Sequence, residues 1–217
     1  HIIDPSRLVE GTIAVYGADY TERVYGTIVP VPAERVIETG HESRIALQGR
    51  ELVFFDTPGH ARHHVSVWDE KARAVFSGDT FGLAYTELDD AHQRYIFPTT
   101  SPTQFEPGAA HRSVDLIAAL HPHAVYVAHF GEVRDVAARA NDLHRLIDAH
   151  AALALEERDS AGDQCLARLR AGVEQLVLAE AGRRGWAHRR DEVLALMRDD
   201  IELNALGLAC WLDAASR

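Results

Sequence analysis

With 217 residues, 47% of them hydrophobic, the chain has room for one domain, or a domain with an appendage, and enough apolar content to bury a core. A formal charge of −11 argues against a nucleic-acid surface or an anionic-membrane partner. No apolar run approaches the ~18 residues of a membrane span, and none resembles a secretory leader.

The chain opens at His1 rather than Met and reads as though cut into from upstream. Asp4-Pro5-Ser6 is a helix start, with Asp4 as N-cap and Pro5 at the first helical position, and the helix is expected to run to about Tyr16. Gly17 to Gly26 reads as a Tyr-rich loop, and Val29-Pro30-Val31-Pro32 as extended chain. Ser43 to Leu47 and Glu51 to Thr57 flank Gln48-Gly49-Arg50 as a β-hairpin. His63 to Trp68 and Ala74 to Ser77 form a second hairpin, in which Val65-Ser66-Val67-Trp68 alternates between a more buried and a less buried face. Gly82 to Thr103 has no period and is expected to be a functional loop or lid. Glu106-Pro107 opens a helix through Leu120, and Ala124 to Val127 is a short buried strand.

From Val133 the sequence reads as helical to its end. Leu166, Leu169, Val173, Leu176 and Glu180 recur at helical spacing, as do Leu194, Met197, Ile201, Asn204, Leu208 and Trp211. These stripes predict a helical hairpin, packed on the domain or serving as a homodimer seam. The expected division is residues 1–155 for the main domain and 156–217 for the helical extension. Cys165 and Cys210 lie far apart and read as buried thiols of a reducing, cytoplasmic compartment.

Thirteen histidines invite a search for metal ligands. Three strand ends present His60, Asp79 and His129, each beside a glycine that lets the backbone turn sharply. His and carboxylate are zinc or iron ligands, and neighbouring strands lie only ~4.8 Å apart, so side chains at adjacent strand ends can converge. The competing readings are a solvent-facing turn His60, a turn-capping Asp79 and an ordinary strand-end His129. His64 reads as a residue that hydrogen-bonds beneath the site, and His63 as surface or rim. Tyr85 either packs or reaches a substrate carbonyl. His121, His123, His144, His150 and His188 read as surface residues of helices or turns. No Gly-x-Ser-x-Gly elbow suggests a serine nucleophile.

Thr57-Pro58-Gly59-His60, His64, Phe76-Ser77-Gly78-Asp79-Thr80 and Ala128-His129-Phe130-Gly131, in this order, resemble the later motifs of the metallo-β-lactamase-fold hydrolases, in particular the glyoxalase II-like branch. The resemblance covers about Glu42 to Gly131. It implies an α/β fold of the αββα sandwich type and a metal site on one sheet edge. It also implies metal ligation by residues matching His60, Asp79 and His129, with Asp79 bridging two divalent ions (Zn, with Fe or Mn as alternatives). The family's His-x-His-x-Asp-His motif lies N-terminal to these motifs and does not occur here. The resemblance therefore implies the C-terminal part of a longer protein, inactive as a free-standing chain. A whole site of this kind would acidify a bridging water for attack on a thioester or ester carbonyl of a small-molecule substrate, with Asp79 as the catalytic residue that orients it. Alternatives on the same fold are a lactonase or a mononuclear-iron persulfide dioxygenase, and from another class a non-catalytic binding module without metal. Arg134 and Arg139 are positional candidates for binding a glutathione moiety.

Overall fold

The computed structural model describes residues 2–89, 94–100, 104–129, 131–160 and 162–215. The chain divides into two compact units, residues 1–39 and 40–217. The first unit holds α1 (Ser6–Tyr16) and α2 (Ala18–Tyr25). Asp4 Oδ1 accepts hydrogen bonds from the Ser6 amide at 3.1 Å and the Ser6 hydroxyl at 2.6 Å, but Pro5 rather than Asp4 is the N-cap and Ser6 is the first helical residue, one position later than expected. The expected Tyr-rich loop is instead α2. Gly17 and Gly26, both at positive φ, bracket a helix rather than mark a loop.

The second unit is built on a six-stranded sheet in sequential order: β1 (Ser43–Leu47), β2 (Arg50–Asp56), β3 (Val65–Asp69), β4 (Ala74–Gly78), β5 (Ala124–Val127) and β6 (Gly131–Val133). All neighbours are antiparallel except β4 and β5. Both hairpins form as expected. In the first, Leu47 pairs with Arg50 across Gln48 and Gly49, both at positive φ, the two-residue turn that suits right-twisted strands. In the second, Asp69 Oδ1 accepts the Ala72 amide at 3.0 Å and tightens the turn. Along β3, Ser66 and Trp68 face the core while Val65 and Val67 are half-buried. β6 was not expected from the sequence, since three residues with a leading glycine give no periodic signal.

The parallel β4–β5 pair requires a crossover, and α3 (Pro107–Ala119) lies in that connection. Its first turn is capped by Glu106, whose carboxylate accepts the Gly108 amide at 3.0 Å and the Ala109 amide at 2.5 Å. After β6 come α4 (Val136–Glu156), α5 (Gly162–Arg183), α6 (Arg190–Leu196) and α7 (Arg198–Ala215). The single long C-terminal helix suggested by the stripe from Leu194 to Trp211 is interrupted at Met197. The buried line of α5 runs through Cys165, Leu169, Val173, Val177 and Glu180, and that of α7 through Ile201, Asn204, Ala205, Leu208 and Leu212. These stripes join one continuous core with Val75, Phe97, Ile117, Val125 and Leu143.

Three expectations need correcting. Described residues of the 82–103 segment are interior rather than a surface lid: Leu83, Leu88, Tyr95, Ile96 and Phe97 are buried, and Leu83 pairs with Phe97. Residues 90–93 and 101–103 of that segment lie outside the described residues. His150 is fully buried, donating from Nδ1 to the Leu146 carbonyl at 2.7 Å, and His144 is half-buried, its Nδ1 2.6 Å from that of His111. Cys210 is exposed, while Cys165 is buried as expected. No helix of the described residues is long and apolar enough to cross a membrane.

Candidate metal centre

The site lies where three strands end on one edge of the sheet. After β2, the buried Thr57 starts the loop Thr57-Pro58-Gly59-His60. The Thr57 amide donates to the His64 carbonyl at 2.9 Å, which closes the loop onto the start of β3. Gly59 has φ +135, and a Cβ there would meet Ala110 backbone atoms at 2.4 and 2.5 Å, so only glycine admits the approach of α3. That helix grips the loop: the Glu106 amide donates to Gly59 O at 2.9 Å and the Ser113 hydroxyl to Pro58 O at 2.6 Å.

After β4, a register irregularity between Phe76 and Gly78 turns the chain into Ser77-Gly78-Asp79-Thr80. Gly78 sits at φ +53, and a Cβ there would lie 2.2 Å from His64 Cε1. The His64 ring therefore occupies the space a side chain would fill. Its Nε2 is 3.0 Å from the Asp79 amide and 3.4 Å from Asp79 Oδ2. One nitrogen cannot accept from the amide and donate to the carboxylate at once, so the shorter contact assigns Nε2 as acceptor. A buried trio of hydroxyls joins the two loops: Thr80 Oγ1 donates to Thr57 O at 3.0 Å, and Thr57 Oγ1 lies 2.9 Å from Ser66 Oγ. This explains why a serine faces the core on β3. After β5, the Ala128 amide donates to Gly78 O at 3.1 Å and brings the turn carrying His129 beside Asp79.

These three turns place three imidazoles around one carboxylate. Asp79 Oδ2 lies 3.5 Å from His60 Nε2, and Oδ1 lies 3.2 Å from His129 Nε2. Ligand atoms of His60, His64 and Asp79 all fall within 4.8 Å of one another. Donors to one tetrahedral ion with bonds of ~2.0–2.2 Å are spaced roughly 3.4 Å apart, so the His60–Asp79 and Asp79–His129 separations suit shared ions. Asp79 Oδ1 is buried and lacks an aligned hydrogen-bond donor, an arrangement a cation would satisfy. His60 Nδ1 faces two atoms of Thr99, Oγ1 at 2.7 Å and the carbonyl oxygen at 3.2 Å. With Nδ1 protonated toward the carbonyl, the Nε2 lone pair would point at Asp79, the tautomer a metal ligand needs.

At His60 and Asp79 the protonation states fit the same role. Burial lowers the pKa of His60 despite the neighbouring Asp79, which favours the neutral, ligating ring. At Asp79 burial opposes ionisation, but the contact from His129 and the field of the imidazoles outweigh it and hold the carboxyl far below the usual range. His129 is raised by its contact with Asp79, against a smaller opposing effect of burial.

His60, Asp79 and His129 thus converge, and His64 lies beside them with its Nε2 already engaged. His63 is exposed. The phenol of Tyr85 donates to Asp200 Oδ2 at 2.7 Å. Arg134 is paired with Glu132 at 2.9 Å, and Arg139 is buried against Asp142 at 2.8 Å.

Sequence reasoning missed the support that comes from α7. Asn204 Oδ1 accepts the Thr100 amide at 2.5 Å, and Asn204 O accepts the Thr100 hydroxyl at 2.8 Å. This pins the segment whose Thr99 holds His60. A polar residue inside the apolar stripe was the signal, since a buried amide needs partners.

A family model described as the metallo-beta-lactamase superfamily matches residues 3–129. The "Beta-lactamase-like protein 2 homolog" of Caenorhabditis elegans is 39% identical over 57 residues, 26% of this chain and 19% of that protein. An archaeal metallo-beta-lactamase superfamily protein from Sulfolobus tokodaii superposes with a TM-score of 0.55 at 23% identity, covering 94% of this chain and 63% of that one. A metallo-beta-lactamase family protein from Thermus thermophilus gives 0.58 at 17% identity, covering 98% and 60%. The chain thus spans a little over three-fifths of the first structure and three-fifths of the second, and the structural likeness carries the fold alone. With a family match over more than half of its 217 residues, the chain belongs to the metallo-beta-lactamase superfamily, whose members are in general metal-dependent hydrolases.

Proposed function

We propose that this chain contributes His60, Asp79 and His129 to a divalent-metal centre that hydrolyses an ester or thioester carbonyl. The observation that carries the reading is the convergence of His60 Nε2 and His129 Nε2, at 3.5 and 3.2 Å, on the Asp79 carboxylate, which is held ionised. With Nδ1 protonated toward Thr99, His60 would offer a bare Nε2 3.5 Å from an anionic oxygen, a pair that suits a cation. Asp79 presents Oδ2 toward His60 and Oδ1 toward His129, which suits a carboxylate shared between two ions. When bound, such ions supply Lewis acidity, lowering the pKa of water and polarising the carbonyl.

The protein's own part is positioning. His64 accepts the Asp79 amide and fixes the carboxylate's backbone, so we assign it the supporting role beneath the site rather than a ligand position. Thr99 holds the His60 ring through Nδ1. Asp79, held ionised, orients the attacking water and handles its proton.

Metal analysis of the protein and of His60→Ala and Asp79→Ala tests the assignment. Each variant should lose most of its bound metal together with ester or thioester turnover. Full metal content and activity in both would show the assignment to be wrong. One iron per chain with oxygen uptake would replace hydrolysis by an oxygenase reaction.

A further inference from the structure

Away from the proposed centre, α3 and α4 carry the same short pattern where they meet: His111-Arg112-Ser113-Val114-Asp115 on one and His144-Arg145-Leu146-Ile147-Asp148 on the other. In each, the histidine and the aspartate are four residues apart and share one helix face. The two faces pair reciprocally. His111 Nε2 lies 2.9 Å from Asp148 Oδ1, and His144 Nε2 lies 3.0 Å from Asp115 Oδ1. Between these contacts the two Nδ1 atoms stand 2.6 Å apart, while the ring centres are 4.9 Å apart and the ring planes 13° from parallel. The nitrogens are much closer than the ring centres, so the imidazoles meet edge to edge, nitrogen to nitrogen.

Counting protons shows what this arrangement calls for. A carboxylate only accepts, so each Nε2 carries a proton. A neutral imidazole has one N–H, which leaves a lone pair on each Nδ1. Two lone pairs face each other at 2.6 Å only with a cation between them. One proton fills the gap as it stands. The charges favour more than that. Two carboxylates and one shared proton leave a net charge of minus one, whereas a divalent ion in the proton's place leaves none. The neighbouring guanidiniums are engaged elsewhere, Arg112 with Glu106 at 3.7 Å and Arg145 with Asp142 at 3.3 Å and Glu180 at 2.6 Å.

We propose that His111 and His144 form a second metal site, which takes divalent zinc, nickel or copper on the two Nδ1 atoms. Asp148 and Asp115 hold the outer N–H groups, the usual support behind a ligating histidine. Imidazole suits these ions. Ligation requires the nitrogens to part to about 3.4 Å. The side chains have room to do so, because the two histidines stand on separate helices and the aspartate side chains are 75% and 72% exposed. With two protein donors, water completes the coordination and the ion is exchangeable. It would tie α4 to α3, the helix whose Ser113 holds the Pro58 carbonyl in the loop of His60. The site does not depend on the hydrolase reading.

Calorimetric titration with zinc tests the proposal in a His60→Ala/Asp79→Ala double variant, which lacks two ligands of the proposed centre. One equivalent should bind and release about one proton, read from the heats in two buffers of different ionisation enthalpy. Adding His111→Ala or His144→Ala should remove that equivalent. Adding Asp115→Asn and Asp148→Asn together, both at exposed positions, should weaken it by about 10–100-fold. In the otherwise unsubstituted protein, His111→Ala should lower the zinc content by one per chain, so the test does not hang on the double variant folding. No zinc bound that depends on His111 and His144 in either background would overturn the proposal and leave a shared proton as the occupant. Zinc binding that survives both His111→Ala and His144→Ala would overturn it as well. A protein that turns over no ester or thioester yet binds zinc as described would strike the hydrolase reading alone.

Discussion

Asn204→Leu should separate stability from site assembly in a way that exposes the role of α7. The side chain of Asn204 is buried and accepts the Thr100 amide at 2.5 Å, while its Nδ2 lies 3.4 Å from the Pro98 carbonyl. Leucine is similar in size but offers no acceptor. The Thr100 hydroxyl keeps the backbone carbonyl of residue 204, so the substitution orphans one buried amide. An unpaired buried donor costs about 1–3 kcal/mol, and about 2 kcal/mol is expected here. The Pro98–Thr100 segment then relaxes, and with it Thr99, which sets the ring of His60. Loss of a partner that orients a ligand weakens metal affinity by about 10–100-fold, and one further step away about tenfold is expected. Val173→Ala on α5 provides the control. Val173 is fully buried, and its truncation should cost about 2 kcal/mol without touching the 98–100 segment. Urea unfolding reports the stability of both variants, and competition with a chelating dye reports metal affinity. Equal stability losses with unchanged metal affinity in Asn204→Leu would refute the reasoning.

Gly78→Ala places a Cβ 2.2 Å from His64 Cε1 at φ +53 and should expel the ring from the Asp79 amide, lowering both metal affinity and stability. Gly17→Ala, at φ +83 and ψ 157 with nothing within 4 Å, should cost about 1–3 kcal/mol of backbone strain in the same unfolding assay and leave metal affinity unchanged, and an equal loss of metal affinity at the two glycines would contradict the steric account. Acid should destabilise the fold through His150, whose pKa burial lowers from 6.5 to about 4. The unfolded chain takes up this proton first, so stability present above pH 6.5 is lost as pH falls toward 4, by about 2 kcal/mol between pH 7 and pH 5. His150→Leu should remove that part of the pH dependence, and an unchanged loss between the two pH values would exclude His150 as its source. Thr99→Val deletes the hydroxyl 2.7 Å from His60 Nδ1 but keeps the carbonyl, so metal affinity should fall only a few-fold, which the chelator competition would show.

Much of the architecture is written in local pattern. Alternation in β3, the Gln48-Gly49 turn and the Pro107 helix start are short-range signals that bonding within a few residues can satisfy. The positions of His60, Asp79 and His129 were legible for the same reason, because each follows a strand and has a glycine within two residues. What misled was glycine itself. Gly17 and Gly26 could end a helix or line a loop, and only the hydrogen bonds of Ala18–Tyr25 choose between them. His144 and His150 looked alike on α4, yet one joins a chain of polar contacts and the other sits against Phe97.

By itself, then, the sequence determined the hairpins, the order of strand ends and the three residues that face one another, since local geometry places these. Tertiary structure alone decided that His64 spends its Nε2 on the Asp79 amide, that Thr99 holds the ring of His60 through Nδ1, and that α7 pins the segment carrying Thr99 and takes the Tyr85 phenol. The α7 links join residues 104 and 115 positions apart. A hydrogen bond over that distance leaves no periodicity in the chain. It exists only because burial in a shared core brings two unrelated segments together and makes an unpaired polar group costly.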